Sequence, residues 1–180
     1  MQLQPDQSLR FSATDLSTFI ACHRATELDV LLANGAVDKP DYKDPYTDVI
    51  QKLGLEHEEA YIRHLKNEGK EVEELRDIDG DTHLERTLNA MKEGAEIVVQ
   101  AAFDNGKWRG KADILYRVDI PEGERPSHFG MWYYNIGDTK LAQETKGGTI
   151  LQLCVYADLL EEVQGRPPEK LFVVKPGVNF

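Results

Sequence analysis

The sequence predicts an α/β fold, a mixed central β-sheet flanked by α-helices on both faces. Three observations predict it. Two helix-period segments precede the main strands. Two alternating runs around Asp104-Asn105-Gly106-Lys107 form a hairpin, hence an antiparallel pair. Finally, a helix-period segment joins two strand-like runs near the C-terminus, and that βαβ connection makes those two strands parallel.

The elements follow in order. Residues 1–10 are polar and read as a flexible N-terminus, with one domain over 11–180. From Phe11 the pattern is helical, with Ser12 or Thr14 as cap and Asp15 in the first turn. Leu16, Phe19, Ile20, Leu28 and Val30–Leu32 supply its apolar positions, and Gly35 stops it. Residues 36–45 (AVDKPDYKDP) are a loop. A second helix covers Tyr46–Glu68, with the stripe Val49, Ile50, Leu53, Ala60, Tyr61 and Leu65 facing the core. Glu71–Leu75 is a short strand, and Thr82-His83-Leu84-Glu85 is a capping box opening a helix to Met91. Glu96–Phe103 and Trp108–Val118 are the hairpin strands, joined by a two-residue turn. Met131–Leu141 is a third strand, Thr149–Val163 a helix, and Leu171–Val174 a buried apolar strand.

Composition bounds the function. The 180 residues suit one domain with a core. No apolar run approaches the ~20 residues of a membrane span, and the N-terminus has no signal core. Only Cys22 and Cys154 are present, which predicts no disulfide framework and a reducing, cytoplasmic setting. The net charge is −11, from 21 basic and 32 acidic residues, and this counts against a nucleic-acid partner. A metal site needs acidic residues, however, and a bound cation reverses the local field.

The chemistry-bearing residues fall on neighbouring strands. Asp138 and Lys140 are two apart, on one face and roughly 7 Å apart along the strand. Asp113 on the hairpin strand lies alongside. Two carboxylates and an ammonium converging on a sheet hold a divalent metal and a water, the apparatus of phosphodiester hydrolysis. Asp113 and Asp138 ligate Mg²⁺ or Mn²⁺, with the Thr139 carbonyl as a further oxygen. Lys140 orients or deprotonates the water, or neutralises the phosphate. A structural ion pair of Lys140 with either aspartate is the plain alternative. Lys107, Arg109, Lys111 and Asp113 share one strand face, so three cations lead to the site as a track for phosphates; a solvated hairpin face is the competing reading. His57 on the second helix's inner stripe is a further ligand candidate, with Glu58 its alternative, because adjacent helical residues diverge by ~100°. Gln152 and Tyr156, four apart on the penultimate helix, stand beside the lysine or are ordinary helix polarity and packing. Asp77-Ile78-Asp79-Gly80-Asp81 lacks the glycine position and distal glutamate of a calcium loop and reads as an acidic turn. Cys22-His23 lacks a partner pair for zinc.

The ordered set GLEHE (Gly54–Glu58), GKAD (Gly110–Asp113), DTK (Asp138–Lys140) and QLCVY (Gln152–Tyr156) resembles the RecB-like branch of the PD-(D/E)XK nuclease superfamily. SATDLSTFIAC (Ser12–Cys22) resembles the helical segment ahead of that branch's nuclease core. WRGKADILYRV and DTKLA…LQLCVYADLL are similar to a bacterial subgroup whose nuclease domain is often followed by RNase H-like and helicase regions. The resemblance implies a restriction-endonuclease-like core and metal-dependent cleavage of DNA, single-stranded or at its ends, with a helicase partner in the same or another chain. It matches His57, Asp113 and Asp138 to metal ligands, Lys140 to the catalytic lysine, and Gln152 with Tyr156 to the branch's helix motif; GLEHE fits a His57 and a Glu58 variant alike. Cys22 stands where iron–sulfur relatives place an early cysteine, but the late trio is missing, so no cluster is expected. The end after VVKPGVNF reads as the edge of a longer chain. Two other readings remain: a nucleic-acid-binding or scaffold module with weak or lost cleavage, and an acidic protein-interaction domain.

Overall fold

In the computed structural model, which describes residues 1–39, 44–76 and 80–177, hydrogen-bonding side chains set where the N-terminal elements begin. Residues 1–10, expected to be flexible, contain two paired strands. Strands β1 (Gln2–Leu3) and β2 (Leu9–Arg10) pair as an antiparallel ribbon. Arg10 Nη1 anchors that ribbon to Asp104 Oδ2 at 2.8 Å. Ser12 caps helix α1 (Ala13–Ala21), and the Asp15 carboxylate accepts from the Ser12 N–H at 2.7 Å.

The single helix expected from Phe11 to Gly35 is two. Cys22 adopts extended backbone between α1 and α2 (His23–Ala33). Its N–H donates to Thr18 and its carbonyl accepts from Ala25, so one residue closes the first helix and opens the second. α2 buries no residue, and Leu28 and Leu31 are exposed. The helix expected over 46–68 is α3 (Pro45–Asn67), capped by Asp44. Only its C-terminal half meets the sheet. Val49, Ile50 and Leu53, expected in the core, are exposed, whereas Glu58, Ile62 and Leu65 are buried.

Strand β3 (Val72–Glu74) leads to α4 (Asp81–Glu93). Gly80, not Thr82, stands at its N-cap. Most of the Asp77–Asp81 turn and the middle of the 36–45 loop lie outside the described residues. Strands β4 (Ile97–Asp104), β5 (Arg109–Asp119) and β6 (Trp132–Thr139) follow, then α5 (Gly147–Gln164) and β7 (Leu171–Val174). The sheet order is β3-β4-β5-β6-β7. The two outer pairs are parallel and the two inner pairs antiparallel. The fold is therefore α/β with a mixed five-stranded sheet flanked by helices.

The hairpin loop is four residues, not two. Asn105 Oδ1 accepts from the Lys107 and Trp108 N–H groups, and Asp104 Oδ1 from Gly106 N–H. Phe11 then inserts alongside, donating to the Lys107 carbonyl and accepting from Arg109 N–H at 2.8 Å each. β7 has the expected span but an unexpected setting. It is an edge strand, with Leu171 and Phe172 exposed beside an open groove of about 730 Å³.

One irregularity positions the site. Val99 and Ile114 pack with Ile62 and Leu65 of α3. Ala101 and Ala112, each two residues away, pack in the opposite cluster with Leu153 and Tyr156 of α5. A regular strand keeps residues two apart on one face, so the alternation slips. It slips between the pairs Val99↔Ile114 and Ala101↔Ala112, at the facing residues Gln100 and Asp113. Gln100 takes φ +59°, left-handed backbone that costs a side-chain-bearing residue on the order of 1–3 kcal/mol. Such kinks re-aim side chains next to active sites.

Candidate functional site

Asp138 comes from the end of β6, on the face it shares with Ile136 beneath α5, and only 1% of it is exposed. Lys140 Nζ donates to its Oδ1 at 2.7 Å and Gln152 Nε2 to the same oxygen at 3.1 Å. Its Oδ2 is buried with no partner. Burial foremost, then the Asp113 charge and more weakly Glu58, push this carboxyl up to about 6, against the pull of Lys140.

Asp113 sits at the slip in β5. Its Oδ2 accepts from the Thr139 N–H at 2.8 Å and the Thr139 hydroxyl at 3.0 Å. Thr139 thus locks Asp113 beside Asp138, through its amide and hydroxyl rather than its carbonyl. Lys140 is half-buried, with its own N–H on the Val174 carbonyl at 3.0 Å. Tyr156 is buried against Gly110, with Gln152 and the Lys111 main chain in hydrogen-bond reach of its hydroxyl. A Cβ on Gly110 would overlap the Tyr156 ring, which gives the glycine of the GKAD run a packing reason.

The two α3 candidates diverge as adjacent helical residues must. Glu58 is buried. Its Oε1 accepts from Gln100 Nε2 at 2.8 Å and lies 3.3 Å from Arg76 Nη2. Burial and the Asp113 charge raise its pKa, while Gln100 and Arg76 oppose the rise. His57 turns toward β7, with Nε2 3.2 Å from the Val174 carbonyl. The structure therefore brings the charges of Glu58, Asp113 and Asp138 to bear on one another and directs His57 to the β7 main chain.

Arg109 and Lys111 are exposed on β5, while Lys107 lies in the hairpin loop rather than on the strand. With Arg10, Arg109 and Lys111 border a cleft of about 520 Å³ between the N-terminal ribbon, α4 and the hairpin. Cys22 and Cys154 are both exposed thiols.

Among the described residues, no three His, Cys, Asp or Glu side chains are drawn tightly enough to ligate one ion as they stand. The donor set nevertheless fits a hard divalent cation. It is all oxygen, and the orphaned Asp138 Oδ2 is a buried anionic atom that a cation satisfies. Gln100 and Arg76 were not singled out from sequence. The one available signal was a polar side chain inside the apolar run Ile97–Phe103.

By fold and site, then, the molecule is an α/β domain with a carboxylate–lysine cluster at the slip in β5 and the end of β6. Compared with known proteins, the chain matches no family model, no curated protein and no solved structure. None of its described helices is long and apolar enough to cross a membrane.

Proposed function

We propose that this chain is a Mg²⁺- or Mn²⁺-dependent deoxyribonuclease domain with a restriction-endonuclease-like core, acting on single-stranded DNA or DNA ends. One observation carries the reading: a buried carboxylate, Asp138, with one oxygen orphaned and a lysine and a second aspartate beside it. Asp113 and Asp138, with Glu58 from α3, would hold the cation. When bound, the cation supplies a water of lowered pKa and polarises the scissile phosphate. Lys140, part-exposed beside Asp138, would place an ammonium against the water or a phosphate oxygen. Gln152 fixes Asp138, and Tyr156 supports Gln152. Lys107, Arg109 and Lys111 neutralise the phosphates leading in. A helicase, in the same or another chain, is the proposed partner, and the cytoplasm the proposed setting.

The test is incubation with single- and double-stranded DNA and with RNA, in Mn²⁺ and in chelator. DNA is cut only with metal, and Asp113→Asn and Lys140→Ala each slow cutting by about 100-fold or more while the fold persists. Cutting at the wild-type rate by either variant overturns the site.

A second reading is a DNA-binding or scaffold module with weak or lost cleavage. The charge of −11 favours it, as does the Lys140 ammonium already engaged by Asp138. It expects DNA binding that is indifferent to metal and to Lys140→Ala.

A further inference from the structure

Gln100 is the one non-glycine residue of the five-stranded sheet with left-handed backbone. Nothing in its own chemistry favours that conformation. Its neighbours impose it. His83 Nε2 lies 2.6 Å from the Gln100 carbonyl. A carbonyl only accepts, so Nε2 carries the proton. His83 is 1% exposed on α4. One turn later Thr87 donates to the His83 carbonyl at 2.9 Å and accepts from Ala102 N–H at 3.0 Å. α4 therefore grips β4 at residues 100 and 102. The Gln100 side chain leaves through the other face and donates to Glu58 Oε1 at 2.8 Å.

Arg76 approaches that same oxygen at 3.3 Å. Oε1 is thus taken up by the Gln100 amide, with the Arg76 guanidinium facing it as a charge contact, which leaves Oε2 as the oxygen Glu58 offers a ligand. Gln100 also faces Asp113 across the β4–β5 pair, between Val99↔Ile114 and Ala101↔Ala112. One kink in the sheet therefore serves both carboxylates. It turns Asp113 to its place beside Thr139 and sends an amide to hold Glu58.

We propose that Gln100 is a positioning residue of the metal site, its backbone held left-handed by His83 so that its amide fixes Glu58 with Oε2 directed to the ion that Asp113 and Asp138 share. The inference rests on the nuclease reading and adds to it a residue that touches neither metal nor substrate.

The experiment is Mn²⁺ titration of the purified chain without DNA, followed by calorimetry and by the electron paramagnetic resonance of free Mn²⁺. Wild type and Gln100→Gly are compared, each also with Glu58→Gln. Glycine adopts φ +59° without strain, so the variant is expected to melt no lower than wild type. It lacks the amide, so Mn²⁺ binding is expected to weaken by about 10- to 100-fold, as for other groups that orient ligands. In the Glu58→Gln background the same substitution is expected to change nothing further, because its effect runs through Glu58. Should the glycine variant melt lower, Gln100→Asn carries the same expectation, since asparagine tolerates this backbone and is one methylene too short to reach. Unchanged Mn²⁺ affinity in the variant, or an equal loss in both backgrounds, overturns the inference and leaves the nuclease reading standing. A wild type that takes up no Mn²⁺ overturns both.

Discussion

Asp138 weakens the metal-free protein in order to serve its site. Its carboxyl is shut from water with one oxygen unpartnered, and its pKa rises from 3.8 to about 6. A carboxyl raised on folding binds its proton more tightly in the folded state. The metal-free protein is therefore penalised above pH 6, by roughly 3 kcal/mol, and recovers as pH falls through 6 toward 4. In chelator at pH 7.5, Asp138→Asn is expected to stabilise the fold by about 1–2 kcal/mol, a melting rise of about 3–6 °C. On the proposed function, the same variant is expected to lose cleavage. An Asn variant that melts below wild type in chelator shows that the Lys140 pair outweighs the burial. Gly110 makes the complementary case. Alanine there forces the buried Tyr156 ring aside, and overpacking of this kind costs about 1–3 kcal/mol. Urea denaturation of Gly110→Ala is expected to show that loss, with slower cleavage because Tyr156 supports Gln152.

At the scale of elements, legibility followed the strength of local signals. β6 and β7 were placed from their apolar runs, and their parallel pairing from the helix between them. The shared side of Asp138 and Lys140 followed from strand periodicity, whereas their direct 2.7 Å ion pair was only the competing reading. The slip at Gln100 and Asp113 did not, because it is imposed by His83 and Glu58 from helices far along the chain, and periodicity knows only neighbours. The α3 stripe was read as core throughout. Nothing in its spacing says that the sheet ends under its second half, leaving Val49 and Ile50 outside. The break at Cys22 was invisible for the same reason: no glycine or proline marks it, and it exists because α1 must lie on α5, where Ser17 meets the Gly148 carbonyl at 3.5 Å. The N-terminal ribbon was not foreseen because its tether, Arg10 to Asp104, spans 94 residues. Arg10→Ala leaves a part-buried Asp104 without its cation and is expected to cost about 1.5–3 kcal/mol. Hydrogen exchange is expected to show faster exchange in residues 1–11 and at the hairpin loop, with the β5–β6 pair unchanged. Equal exchange in both regions would mean that the ribbon is held by other contacts.

For the whole molecule, the decisive quantity is the charge of −11. On the proposed function, a nuclease with this charge cannot rely on a broad basic surface, and its grip on DNA is expected to rest on the few cations of the hairpin. Lys107, Arg109 and Lys111 are exposed on the hairpin, and Arg109 and Lys111 border a cleft that Arg10, paired with Asp104, also lines. Three neutralised phosphates on a single strand give a slope of log affinity against log salt of about −2, from ~0.7 per phosphate. Proteins with 6–10 phosphate contacts show far steeper dependence. Binding of a fluorescent oligo-dT by the Asp113→Asn variant, measured by anisotropy from 20 to 200 mM salt with Mn²⁺ present, is expected to give this shallow slope. Replacing Arg109 and Lys111 together by alanine is expected to reduce it by about two thirds, because two of the three contacts are gone. A slope near −5 would place the phosphate contacts on a different surface, and an unchanged slope in the double variant would remove the β5 cations from the DNA path.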